Sequence, residues 1–576
     1  MYIFAEKCYN IMCCKIHPEN KPKKLTRSEE VMNEAKQNYL NWLDNVTDEA
    51  TLATLKQMTE VQITDAFYKD LEFGTGGMRG KMGPGTNCLN EYTIAKATQG
   101  LANYMKAHGL TTAAITYDSR LNSREFSKKA SAVLATNGIV VHITDDCMPT
   151  PFLSYAIRTL GADMGVNVTA SHNPKEYNGY KVYGEDGAQM SPEATEVVVE
   201  NIAAIGSCMS AAVKYGKNEK KYVHIIGKDV DEAYYAELMK LTLSREAVEK
   251  IGKDIKLVYT PVHGSGYVPV TTMLNRIGIN CTVVESQVKP DGTFPTVAVP
   301  NPEYKETLKI AIDTAEKTGA DVVFGTDPDC DRLGVAIRND EGEFVSLTGN
   351  ETGVLLLDYV LLRLKETNTL PENGFIVKSF VTTSMAQAIA KDYGVELMET
   401  PVGFKFIGEK IKLYDDTGLK KFIFGFEESC GYLRGTHARD KDAVVASMLF
   451  AEMVCYYTEK GVSVYDRLQT LFKKYGYYFS VGVSKAFSGL NAMEEMNAVV
   501  DKMKTKKIVT IGGVPLVGKR DYSVPVRYDF VRNVKKAIDI PATNCVYYEL
   551  QGGGFVCLRP SGTEPKLKIY YTIKAE

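Results

Sequence analysis

The chain has 576 residues, too many for one hydrophobic core, so several domains of ordinary size are expected. A hydrophobic content of 44% and a charged content of 24% are those of a globular protein, and 68 basic against 71 acidic residues leave a net charge of −3. No broad basic field is on offer to nucleic acid or to an anionic membrane, so an anionic substrate must be met by local cations. Twelve scattered cysteines without a C-x-x-C pair point to reduced thiols in a cytoplasmic protein and away from a disulfide framework or a zinc site. The apolar run nearest to membrane-spanning length, Ala443 to Tyr457, is interrupted by Glu452 and reads as a buried helix.

Residues 1–25 carry Glu6 and Lys7 inside their apolar part, which makes a poor signal peptide and reads as a disordered extension. From Thr26 to about Asp70, Leu and Met recur at three- and four-residue spacing among charged residues, which predicts helices, with one start at Thr47-Asp48-Glu49. Phe73 to Gly85 then holds six glycines in thirteen residues. It reads as a loop that brings backbone to an anion while Arg79 supplies charge.

Ala113 to Tyr117, Gly138 to Thr144 and Gly165 to Val168 predict strands separated by helical stretches, the signature of a layered α/β domain. In such sheets ligands gather beyond the carboxyl ends of the strands, where Arg120 and Ser171 fall. Ser171 lies in Thr169-Ala170-Ser171-His172-Asn173-Pro174, with Asn173-Pro174 and Asn178-Gly179 predicting turns. A serine in a polar turn is usually a cap; here His172 and Lys181 stand close enough in sequence to make it a candidate nucleophile or phosphate carrier.

A lysine-rich stretch near Lys214 to Lys221 predicts a boundary, after which Ile255 to Tyr259 opens a second strand series ending in Pro261 to Gly266, with His263 in that loop. The strand Asp321 to Phe324 leads into Asp327-Pro328-Asp329-Cys330-Asp331-Arg332. Three carboxylates at alternate positions repel one another unless a cation sits between them, and hard oxygen ligands favour Mg2+ over zinc. A third series runs through Phe375 to Ser379, Glu396 to Glu399 with Gly403-Phe404-Lys405 after it, and Phe422 to Phe424 with Glu427-Glu428-Ser429 after it. Adjacent acceptors and a hydroxyl suit sugar hydroxyls, while Glu427-Glu428 reads equally as a helix start. Val546 to Leu550, Phe555 to Leu558 and Leu567 to Ile573 predict antiparallel strands of an α+β domain. Between the last two, Arg559-Pro560-Ser561-Gly562-Thr563 and Lys568 offer a guanidinium, hydroxyls, a glycine amide and an ammonium, a cradle for phosphate.

Taken together these loops resemble those of the α-D-phosphohexomutase superfamily, in the order phosphoserine loop, metal loop, sugar loop and phosphate loop. Phe73 to Gly80, Gly403 to Ile407 and Gly425 to Tyr432 are most similar to its long phosphoglucomutase and phosphopentomutase branch. The resemblance implies an α/β fold: three similar mixed α/β sheet domains plus a C-terminal α+β domain around a central cleft. Their expected extents are 26–220, 221–342, 343–472 and 473–576. It implies a phosphoglucomutase working through phosphorylated Ser171 and glucose 1,6-bisphosphate, which also serves as activator. Phosphopentomutase, phosphomannomutase and sugar-bisphosphate synthase are the alternatives. Cys430-Gly431-Tyr432 stand where some members carry a histidine, which weakens the phosphomannomutase alternative.

By the same resemblance Ser171, Asp327, Asp329 and Asp331 hold Mg2+, and His172, Lys181, Arg79 and Lys441 assist Ser171 in catalysis. Arg120, His263, Gly403, Glu427, Ser429, Arg559, Ser561, Gly562, Thr563 and Lys568 are expected to bind the phosphosugar. The expected assembly is a monomer or weak homodimer.

Overall fold

The computed structural model describes residues 26–74, 76–209, 219–488, 491–561 and 565–575. The expected extension, most of the lysine-rich boundary, and Gly562 and Thr563 lie outside them. Two compact bodies emerge: Leu25–Val377 with Gly403–Arg467, and Lys378–Val402 with Leu468–Glu576.

The larger body opens with three helices, Thr26–Asn45, Glu49–Lys56 and Glu60–Phe67. Asp48 caps the second by accepting the Thr51 amide at 2.7 Å, and Thr59 and Gln62 form a capping box on the third. Their apolar faces bury Trp42, Leu55 and Phe67 in a cluster of their own.

The first sheet has seven strands in the order Phe73–Gly74, Gly77–Lys81, Tyr177–Gly184, Met164–Val168, Thr112–Tyr117, Val140–Ile143 and Val223–Ile225. Its centre is parallel and the Tyr177–Gly184 side antiparallel. Two expectations are corrected here. The glycine-rich stretch is a hairpin built into the sheet, and Asn178-Gly179 is strand instead of turn. The reason is close approach: a Cβ on Gly77 would stand 2.2 Å from the Tyr180 carbonyl, and one on Gly179 2.4 Å from that of Thr169.

The second sheet has five strands, with Val322–Thr326 parallel to Leu257–Thr260 on one side and antiparallel to Leu333–Arg338 on the other. Val258, Val323 and Ala336 pack on Ala311 and Ala315 of the helix Lys305–Thr318. A third, four-stranded sheet includes the hairpin Lys421–Glu427 and Gly431–Leu433. Glu427-Glu428 therefore closes a strand, and the helix-start reading is set aside. The apolar run forms the helix Ala443–Glu459, buried from Ala443 to Tyr457. Glu452 inside it accepts the amides of Leu243 and Ser244 at 2.8 and 2.6 Å, so the charge that interrupts the run caps the neighbouring helix Arg245–Ile251. Among the described residues no helix is long and apolar enough to cross a membrane.

The second body is built on an eight-stranded sheet in which Lys566–Ala575 lies between Tyr477–Ala486 and Phe555–Pro560. The helix Ala492–Thr505 contributes Met496, Val500 and Met503 to one cluster with this sheet. Phe380, Tyr522, Tyr547 and Phe555 form another. The four sheets give the four mixed α/β domains that the sequence implies.

Candidate active site

The strand Met164–Val168 delivers the loop that carries Ser171. Ser171 takes a left-handed backbone, φ 51°, a costly conformation for a residue with a Cβ. It is held there from both sides. Its amide donates to Thr169 Oγ1 at 2.8 Å, and Thr169 Oγ1 in turn donates to Asp118 Oδ2 at 2.6 Å. Its carbonyl accepts from Arg120, whose guanidinium also reaches the carbonyls of Asn173, Pro174 and Tyr177. Arg120 is 3% exposed, is paired with Asp118 and lies over the Phe294 ring. Through these carbonyls Arg120 fixes the serine loop.

His263 is held inside the fold in a similar way. It is 3% exposed, with Nδ1 3.2 Å from the Lys289 carbonyl and Nε2 2.9 Å from Thr296 Oγ1, so both ring nitrogens are engaged within the fold.

Beyond the strand Val322–Thr326, Asp327, Asp329 and Asp331 each present an oxygen within 4.8 Å of the others, all three buried. Cys330, at φ 50°, tightens the loop that gathers them. Asp327 Oδ1 accepts the amides of Asp331 and Arg332 at 3.1 and 3.0 Å, and its Oδ2 accepts the Ser171 hydroxyl at 2.7 Å. Lys181 Nζ lies 3.1 Å from Asp329 Oδ2, and Lys441 Nζ 3.0 Å from Asp331 Oδ2. Asp329 Oδ1 and Asp331 Oδ1 are buried with no hydrogen-bond partner. Burial, then the charges of its two neighbours, pushes the Asp327 carboxyl well above its ordinary value. Burial would raise Asp329 too, but Lys181 and the hydrogen bonds from Asp327 and Thr150 together outweigh it and hold that carboxyl low. Crowded carboxylates with orphaned hard oxygens fit a small divalent cation such as Mg2+.

The remaining catalytic candidates converge on the same place. His172 Nδ1 stands 3.1 Å from Ser171 Oγ, and Arg79 Nη1 donates to Asn173 Oδ1 of the serine loop at 3.3 Å. Burial alone would lower the pKa of Lys441, but Asp331, Asp440 and Glu427 hold its ammonium well above the ordinary value. Its stem crosses Gly431, where a Cβ would stand 2.1 Å from Lys441 Cδ. Glu427 Oε1 accepts the Gly403 amide at 2.7 Å, and burial with the charge of Glu428 pushes the Glu427 carboxyl up to about 7. Ser429 is half-buried in the turn after it.

In the second body, Arg559 and Lys568 are opposite each other on paired strands, and the Ser561 amide donates to the Lys566 carbonyl at 2.8 Å. Sequence reasoning missed Asp440, which accepts from Lys441 Nζ at 3.1 Å and from the Tyr183 hydroxyl at 3.0 Å. It also missed Thr150 and Asn167, although a polar Asn167 between Val166 and Val168 was a visible signal.

Family models for the phosphoglucomutase/phosphomannomutase alpha/beta/alpha domains I, II and III match residues 70–208, 232–342 and 348–475. The chain belongs to the phosphoglucomutase/phosphomannomutase family. It is a member of the α-D-phosphohexomutase superfamily, as the loops imply. A phosphoglucomutase of Staphylococcus aureus (strain USA300) is 34% identical over 536 residues, which cover 92% of this chain and 95% of the relative. One from Staphylococcus saprophyticus is 33% identical over 545 residues, covering 93% and 96%. Two solved structures share the fold. Parafusin, a phosphoglucomutase from Paramecium in its open form, has a TM-score of 0.63 at 18% identity, covering 88% of this chain and 91% of that one. A phosphoglucomutase/phosphomannomutase family protein from Burkholderia thailandensis has a TM-score of 0.61 at 19% identity, covering 88% and 93%.

Proposed function

We propose that the chain is a phosphoglucomutase, an isomerase that interconverts glucose 1-phosphate and glucose 6-phosphate through phosphorylated Ser171 and a glucose 1,6-bisphosphate intermediate. The observation that carries this reading is the Ser171 hydroxyl hydrogen-bonded at 2.7 Å to Asp327 of the buried aspartate triad. The identity with curated phosphoglucomutases over nearly the whole chain supports it.

In the reaction a free hydroxyl of the sugar monophosphate attacks the phosphorus on Ser171, and the bond to Ser171 Oγ breaks. The proton of that hydroxyl passes to the freed Ser171 Oγ. The bisphosphate turns over, Ser171 Oγ then attacks the other phosphate, the sugar O–P bond breaks, and the leaving sugar oxygen takes up a proton. His172 Nδ1, 3.1 Å from Ser171 Oγ, is placed to take the serine proton in the return step. Asp327, Asp329, Asp331 and the serine oxygen would hold Mg2+, which when bound supplies neutralisation of the moving phosphoryl charge. Lys181 and Lys441, ion-paired to two of these aspartates, sit beside the transfer. Lys181, Lys441 and Arg332 face the three carboxylates, the last two cations being shared with Asp440 and Glu303.

Glu427, Gly403 and Ser429 are proposed to take sugar hydroxyls. Arg559, Ser561, Gly562, Thr563 and Lys568 are proposed to take the phosphate that is not transferred. Glucose 1,6-bisphosphate would recharge Ser171 as activator. The domain extents given above, a cytoplasmic location and a monomeric or weakly dimeric state belong to the same proposal.

The deciding experiment is a substrate panel with Mg2+ and glucose 1,6-bisphosphate, comparing kcat/KM for glucose, mannose and ribose 1-phosphates. Glucose is expected to lead; a large ribose preference would make the chain a phosphopentomutase. Intact protein should carry one phosphate on Ser171. Ser171→Ala should lose it and lower kcat by at least about 10^4-fold.

A further inference from the structure

We infer that Thr150 is a positioning residue for the metal ligand Asp329, a reading that rests on the Mg2+ site proposed above. Thr150 is the first residue of the helix Thr150–Leu160 and grips the metal loop twice. Its amide donates to the Asp329 carbonyl at 2.8 Å, and its hydroxyl donates to Asp329 Oδ2 at 2.9 Å. Behind it, Asn167 Nδ2 donates to Thr150 Oγ1 at 2.7 Å, and Thr116 Oγ1 donates to Asn167 Oδ1 at 3.3 Å. Thr116, Thr150 and Asn167 are all fully buried.

The direction of this relay is dictated by its end. An ionised carboxylate only accepts, so the single proton of Thr150 goes to Asp329. The Thr150 oxygen must then receive a donor, which obliges Asn167 to turn its amide NH2 forward and its carbonyl back toward Thr116. Reversing any link leaves a buried polar group unsatisfied. With Thr150 and Lys181 both on Oδ2, Asp329 is held in one orientation that leaves Oδ1 without a partner. Thr116 and Asn167 are paired in register on neighbouring parallel strands, and Asn167 precedes Ser171 by four residues on the strand that delivers it. The metal ligand and the phosphoryl carrier are thus indexed to the same strand.

The test is Mg2+ titration by calorimetry on the full chain, alongside melting in EDTA and steady-state kinetics with glucose 1-phosphate. Thr150→Val keeps the shape and removes the hydroxyl. It should weaken Mg2+ binding roughly 10- to 100-fold, the usual effect of losing a group that orients a metal ligand. Its kcat should fall at low Mg2+ and recover as Mg2+ is raised, with KM for the sugar phosphate unchanged. Thr150→Ser should restore Mg2+ affinity to within about threefold. Asn167→Asp is the second probe, because two carboxylates would then compete for one hydroxyl proton; it should weaken Mg2+ binding as well. Equal Mg2+ affinity in Thr150→Val and wild type, or a Ser variant as weak as the Val variant, would overturn the assignment while leaving the metal site standing. Wild type that binds no Mg2+ would overturn both. Should Thr150→Val fail to fold, unchanged affinity in Asn167→Asp would be the overturning result.

Discussion

Glu399, partly buried, and Asp329, fully buried, are both carboxylates beside a lysine, and they are satisfied very differently. Glu399, in the second body, accepts from Lys378 at 2.9 Å, from Gln387 at 2.7 Å and, on its other oxygen, from Arg520 at 2.7 Å. Burial would raise its pKa, but Lys378 and Arg520 outweigh that and hold it at about 2. Asp329 and Asp331, in the larger body, each keep one buried oxygen with no hydrogen-bond partner, and Asp327 beside them is held well above its ordinary pKa. A fully paired charge belongs to the architecture; crowded buried carboxylates that keep oxygens without hydrogen bonds are the arrangement a small cation fits.

The comparison can be broken by substitution. Glu399→Gln removes one charge from a complete set and leaves Lys378 and Arg520 under-compensated, so it should destabilise the protein by roughly 3 kcal/mol with or without Mg2+. Denaturant unfolding of the second body would show it, and an unchanged midpoint would end the claim that this cluster is structural. Asp327→Asn should act in the opposite sense. It relieves repulsion in the metal-free protein, so melting in EDTA should stay level or rise, while the stabilisation that Mg2+ gives wild type should vanish. A variant that loses stability in EDTA yet still gains it from Mg2+ would show that the crowded triad is not where the cation acts.

A third effect is a slope against pH. The folded pKa of Glu427 is raised from 4.5 to about 7 by burial and Glu428, opposed by Lys441, the Gly403 amide and Arg332. The folded state therefore binds more protons than the unfolded state between these values, and this group's contribution to stability falls as pH rises through that window. Glu427→Gln removes the contribution. Relative to wild type it should be most stabilising near pH 8 and indifferent near pH 4; parallel melting curves across that range would refute the shift.

What was legible in the sequence was local. Asp327, Asp329 and Asp331 announce a cation because all three lie within five consecutive residues, and the strand Val546–Leu550 was readable from its own apolar run. Roles set by distant partners were not. Arg120 sits at a strand end, and the loop carbonyls it holds are 51 to 57 residues away. His263 is likewise absorbed by Lys289 and Thr296. The glycines of Phe73 to Gly85 were counted as loop because composition cannot show that Tyr177–Gly184 lies against them. Thr150 was invisible for the same reason, since 179 residues separate it from Asp329.

The grip on Ser171 has a consequence for how the reaction divides its motion. Its amide, its carbonyl and its hydroxyl are each tied to a different residue, Thr169, Arg120 and Asp327. A serine held at its amide and its carbonyl cannot carry its side chain to both ends of a hexose. On the proposed reaction the serine is a fixed post, and the doubly phosphorylated sugar is the travelling part. Fidelity then becomes a race between two rates that belong to the sugar, turning end over end and departing, and every turnover that ends in departure leaves the enzyme without the phosphate it started with.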